Sequence, residues 1–133
     1  MTGVWIDANV LLRFLTGTPP ELAARARTVM EKAERGEVVL RVSSVVAAEV
    51  VWVLCSVYKL PKAKVAATLG SLFVARGVEL EDQDAVLPAL AQMAEHNVDF
   101  ADALLAQRAN QTGEPVASFD EDFRRLGVDT FPV

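Results

Sequence analysis

Four carboxylates carry the chemistry that this sequence can do. Asp7 directly follows the apolar run Val4-Trp5-Ile6, and Asp120 follows Val116-Ala117-Ser118 by two residues. Glu49 lies about one turn into the helical pattern after Val38 to Val42, and Asp102 sits in the first turn of the helical stretch leading to Val116. No Lys, His or Cys belongs to the set, so these groups repel one another when brought together unless a hard divalent cation sits between them. Oxygen-only ligation selects Mg²⁺ or Mn²⁺ over zinc. An ion so held polarises water, neutralises phosphate and stabilises a leaving oxygen, which is the chemistry of phosphodiester hydrolysis without a side-chain nucleophile.

Each acid also has a structural explanation. Asp7 and Asp120 precede helices and serve equally well as N-caps, and Asp99 with Asp102 three residues on reads as a variant capping box. Glu49 differs, being the only charged residue between Arg41 and Lys59 in a helix apolar on nearly every side. An unpaired carboxylate buried there pays a heavy desolvation cost, and no Lys or Arg lies three or four residues away to offset it. The choice is between a distant basic partner and a bound cation, and the cation is favoured.

The elements that must position these acids alternate. Strands are predicted at Val4–Ile6, Val38–Val42, Val78–Leu80 and Val116–Ser118, with an edge strand at Val128–Phe131 closed off by Pro132. Between them lie helices over Ala8–Leu15, from Pro20 to Gly36 with Leu22, Ala26, Val29, Met30 and Ala33 on one face, and from Ser43 or Ser44 to about Tyr58. Further helices start at Pro61 with Gly77 as the stop, and cover Gln83–His96, Asp99–Thr112 and about Glu121–Leu126. This order implies right-handed crossovers and a mainly parallel sheet covered on both faces, an α/β fold of three α/β/α layers. Ligands in such sheets gather beyond the carboxyl ends of the strands. That rule selects Asp7, Glu49 and Asp120 for one edge, whereas the placement of Asp102 depends on how its helix packs.

A chain of 133 residues, 52% hydrophobic and 23% charged, suits one domain spanning 1–133 with no disordered tail, repeat or linker. Asp7 interrupts the first apolar stretch, so no signal peptide is expected. The longest apolar stretch, Val42 to Tyr58, carries Ser43, Ser44, Glu49 and Ser56 without basic flanks and reads as a buried core helix, not a membrane span. The lone Cys55 makes no internal disulfide and acts as apolar filler in a reducing cytoplasm. The lone His96, beside Asn97 near a helix end, is a capping aid.

Together, Val4-Trp5-Ile6-Asp7-Ala8-Asn9, Glu49 after a Ser-Ser helix start, Asp99-Phe100-Ala101-Asp102-Ala103-Leu104 and Ser118-Phe119-Asp120-Glu121-Asp122-Phe123 resemble a PIN domain. More narrowly, they resemble the VapC-type toxins of toxin–antitoxin pairs, over essentially the whole chain and in order. The resemblance implies a metal-dependent endoribonuclease with Asp7, Glu49, Asp102 and Asp120 as catalytic metal ligands and with Asn9 and Ser118 supporting the site by hydrogen bonds. It also implies RNA as substrate and an antitoxin partner whose tail occupies the active-site groove. Asp99 and Asp122 are candidates for an outer shell, although a helix cap and a solvated acid explain them as well. Arg13 and Arg108 are candidates for meeting substrate phosphate, with ordinary surface charge as the alternative.

A net charge of −5 and a pI near 4.8 oppose binding of a polyanion. Setting aside the four site acids, however, leaves 14 acidic against 13 basic residues, a nearly neutral scaffold. Two other classes compete: a non-catalytic partner- or metal-binding doubly wound module, and a DNA-directed nuclease of related fold. The lysine and third-strand acceptor aspartate of a receiver domain are not evident. A mean hydropathy of +0.27, with charge-poor helices at Val45–Tyr58 and Val65–Val74, leaves apolar surface for a homodimer to cover.

Overall fold

The short β-branched runs pair side by side, and every pairing is parallel. In the computed structural model, which describes residues 2–133, β1 (Thr2–Trp5), β2 (Val38–Val42) and β3 (Val78–Leu80) form one sheet in that order. Val4 stands opposite Leu40, and Leu40 opposite Val78. β4 (Val116–Ala117) and β5 (Thr130–Phe131) form a second ladder, with Ala117 opposite Phe131. β4 and β5 are each shorter than expected, whereas β1 starts at Thr2, two residues earlier than expected, and ends one residue earlier.

Helices fill the crossovers: α1 (Ala8–Thr16), α2 (Pro20–Glu34), α3 (Ser44–Ser56), α4 (Lys62–Phe73), α5 (Gln83–His96), α6 (Phe100–Thr112) and α7 (Asp122–Arg125). The outcome is the expected three-layer α/β/α fold. The caps explain several boundaries. Ser43 Oγ accepts the Val46 N–H at 3.0 Å and starts α3, while Gly17 and Gly113 end α1 and α6 in left-handed backbone. The core forms where helix faces meet β2, whose Leu40 and Val42 are buried together with Leu11, Val50, Leu69, Phe73 and Leu90. Burying each such side chain contributes about 1.5–3 kcal/mol.

Three expectations need correcting. The α3 helix is not enclosed: Val45 and Trp52 are 74% and 63% exposed, and they share a stripe with Glu49 at helical spacing. In α2 the buried stripe runs through Ala23, Ala26 and Ala33, leaving Leu22 exposed, because small residues permit the close approach to α1. Gly77 does not stop α4, which ends at Phe73. It instead occupies left-handed backbone at φ 82°, turning the chain into β3 hard against the carbonyl of Ala33.

Candidate metal centre

Asp7 is placed by the end of β1. Ile6 still pairs through its N–H with the Arg41 carbonyl, and the next residue caps α1, its Oδ1 accepting the Ala8 N–H at 2.8 Å. The structural explanation for Asp7 therefore holds for one carboxylate oxygen, while the other has no hydrogen-bond partner among the described residues. Asn9, in the first turn of α1, is exposed.

Asp120 lies beyond β4 in a turn tied on both sides. Its N–H donates to Ser118 Oγ at 2.9 Å, and its Oδ1 accepts the Asp122 N–H at 2.9 Å. Ser118 thus shapes the backbone that carries Asp120, the kind of support the sequence pattern implies. Asp122 is not a free surface acid: it is half-buried and paired with Arg125 at 2.6 Å.

Asp102 lies one turn into α6 and is half-buried. Burial, then the charges of Asp120, Asp99 and Asp122, hold its carboxyl above the usual carboxylate range. These influences act in the same direction, and no basic side chain offsets them. Asp120, Asp99 and Asp122 thus all lie within electrostatic reach of Asp102. Asp99 stands at the N-cap position of α6 without making the cap bond, so the capping box is not formed, and it lies 4.0 Å from Lys62 Nζ.

Glu49 departs from expectation most clearly. It is exposed on the open face of α3, so water solvates it and the desolvation argument for a compensating cation does not apply. Neither Glu49 nor Asp7 is among the charges that act on Asp102. Among the described residues, no three Asp, Glu, His or Cys side chains stand close enough to enclose a metal ion. The chemistry of the donors still fits a divalent cation at Asp102 and Asp120: both offer oxygen alone, and a positive charge between them would relieve the repulsion that Asp102 experiences.

The helices around these acids are fixed by polar clasps and an apolar cleft. Arg108 pairs with Asp82 at 3.0 Å and donates to Ser44 Oγ at 3.3 Å, while Glu81 accepts the Ser44 N–H at 3.1 Å. This cluster joins α6 to the starts of α3 and α5, and it commits Arg108 to structure. Arg13 donates to the Thr18 carbonyl at 2.8 Å, pinning the α1–α2 turn. The C-terminal end of α3 and the N-terminal end of α6 meet across a cleft of about 270 Å³ lined by Trp52, Cys55, Lys62, Asp99 and Phe100. Cys55 is thus half-exposed rather than core filler, and burial still pushes its thiol up, opposed by Lys62 and assisted by Asp99. The sequence carries no signal for the Lys62–Asp99 approach, which exists only because α4 and α6 pack beside the same end of α3.

No individual curated protein matches the chain significantly. The family model for the PIN domain matches residues 4–129, from β1 through α7 and up to the start of β5. PIN domains are generally nucleases that depend on divalent metal ions. A match over nearly the full length, on a parallel α/β/α fold with acids at the strand ends, shows that the chain belongs to the PIN domain family.

Proposed function

We propose that this chain is an Mg²⁺- or Mn²⁺-dependent endoribonuclease of VapC type, the toxin of a type II toxin–antitoxin pair, with Asp7, Glu49, Asp102 and Asp120 as its metal-holding acids. The observation that carries this reading is the PIN-family match over residues 4–129, with half-buried Asp102 raised by burial and then by neighbouring acids, and Asp120 held in a hydrogen-bonded turn. Asp7 and Asp120 each use one carboxylate oxygen to order local backbone and keep the other for ligation. Ser118 orients Asp120, and Asn9 lies one helical position beyond Asp7's cap. When bound, the cation supplies electrophilic activation of water and charge neutralisation at phosphorus. Glu49 is exposed on α3 and is engaged by no ion pair or hydrogen bond of its side chain among the described residues, which leaves its carboxylate free for ligation.

Expression in a bacterium followed by mapping of new RNA 5′ ends tests this reading, with Asp102→Asn as the inactive control. Cleavage is expected to need Mg²⁺ or Mn²⁺, to stop with EDTA and to leave 5′-phosphates. His-based ribonucleases use the 2′-hydroxyl instead, and the only histidine is His96 at the end of α5. A 2′,3′-cyclic phosphate on the products overturns the mechanism, and cleavage of single-stranded DNA in preference to RNA of the same sequence overturns the substrate.

The same reading includes a homodimer and a small antitoxin in the cytoplasm. No helix among the described residues is long and apolar enough to cross a membrane. Exposed Val57 at the end of α3 and Val74 at the end of α4 support a self-complementary interface away from the Glu49 stripe. Light scattering at micromolar concentration should give twice the 14.4 kDa chain mass, and Val57→Glu with Val74→Glu should shift it to monomer. A monomer at every concentration removes the dimer and leaves the nuclease reading intact.

A further inference from the structure

Phe119 is 91% exposed, more than any other large apolar side chain among the described residues. Its backbone is not loose, because the hydrogen bonds from Asp120 to Ser118 and from Asp122 to Asp120 fix the turn around it. The ring is therefore presented to solvent by an ordered turn. The β4–β5 register sets Phe131 opposite Ala117, two residues before Phe119, and Phe131 is itself 59% exposed. Both rings line one open cleft of about 300 Å³, together with Asp120, Glu121 and Arg124. Arg124 makes no ion pair among the described residues, whereas its neighbour Arg125 is engaged by Asp122 and by the His96 carbonyl.

We propose that this cleft is a nucleobase subsite: an unpaired base next to the cleaved bond stacks on Phe119 and Phe131, and Arg124 meets a flanking phosphate. The inference rests on the nuclease reading and adds a substrate class to it, single-stranded RNA with at least one unstacked base. Charge decides what sits where. Glu121 disfavours a phosphate against the rings, so the group on them is neutral and flat, and the lone arginine suits the anionic link beside it. A base in a duplex offers no free face to an aromatic ring, whereas every unpaired base does.

The test uses the whole chain and a short single-stranded RNA hexamer, with anisotropy in EDTA for affinity and steady-state kinetics in Mg²⁺. Phe119→Ala and Phe131→Ala should each weaken hexamer binding by about tenfold and raise KM similarly, with kcat within about twofold. Phe119→Tyr should retain wild-type affinity, and a duplex of the same sequence should bind all variants alike. Arg124→Gln should lower the salt dependence of binding by about one charge. Unchanged affinity and KM in the alanine variants of a chain that cleaves RNA overturns the subsite alone. So does a change in oligomeric state with RNA affinity preserved, which would assign the rings to a second copy. A wild-type chain that neither binds nor cleaves RNA overturns the nuclease reading along with the subsite.

Discussion

Replacing Asp102 or Asp120 with asparagine is expected to lower RNA cleavage by about a hundredfold or more while leaving the protein folded and, at neutral pH without metal, slightly harder to melt. The loss follows from removing a charged oxygen donor worth several kcal/mol to a transition state that develops negative charge. The gain in stability follows from the direction of the Asp102 shift. Its carboxyl is held above its ordinary value in the folded state by burial and by Asp120, Asp99 and Asp122, so ionising it opposes folding. The favourable contribution is complete below the unfolded pKa and is lost as pH rises through the raised folded value. Asparagine does not titrate, so Asp102→Asn should raise the metal-free melting temperature by about 1–3 °C at pH 7, by less as pH falls through the raised folded value, and by nothing below the unfolded value. Mg²⁺ should stabilise the wild type more than the variant, since a ligand that binds only the folded state shifts Tm in proportion to its affinity. Thermal melts at two pH values, with and without Mg²⁺, together with a cleavage assay, check both halves. Full activity in both variants removes these acids from the site.

Gly77→Ala should be the most damaging single-methyl change in the framework. Gly77 occupies left-handed backbone at φ 82°, which costs an L-residue about 1–2 kcal/mol, and an added Cβ would collide with the Ala33 carbonyl at the end of α2. Neither neighbour yields easily: the Gly77 carbonyl accepts the Leu40 N–H at 2.7 Å in the central sheet, and Ala33 is buried. Accommodating the clash adds about 1–3 kcal/mol, for a total of about 2–5 kcal/mol. Gly113→Ala provides the internal reference. It has a similar φ of 74° with nothing within 4 Å of the added atom, and should cost only the backbone part. Urea unfolding of the two variants isolates the collision as their difference, and equal midpoints would show that the α2–β3 approach is looser than described.

Elements were legible in the sequence wherever a local cause sets them. Ser43 caps α3, Gly113 ends α6, and the β-branched runs at Val38–Val42 and Val78–Leu80 pair as read. The errors arise where a distant partner decides. Glu49 looked enclosed because α3 is apolar on most sides, yet the sequence does not say which apolar face lacks a covering element, and Glu49 lies on the open one beside Val45 and Trp52. Local rules make Gly77 a helix stop, whereas its role is contact with an alanine far away in sequence. At the site, the influence of Asp120 on Asp102 depends on the packing of α6, which no local rule sets. The cap on Asp7 and the turn at Asp120 followed from neighbouring residues alone.

The division of the strands into a three-stranded sheet and a two-residue ladder also sets where the molecule yields first. Asp7 extends from backbone paired along four registered positions, whereas Asp120 follows a ladder of two. Such a ladder is marginal alone, so the polypeptide from Val116 to Phe131 is secured chiefly by a few apolar anchors, Val116, Phe123, Leu126 and Val128. Its opening free energy is therefore expected to lie below that of global unfolding, so that Asp120 leaves its place more readily than Asp7 does. Activity and melting temperature are in this way governed by different parts of the same core. A lost methyl at Val128 would empty the site for a larger fraction of the time with little change in overall melting, while the same loss at Leu40 would act in the reverse sense.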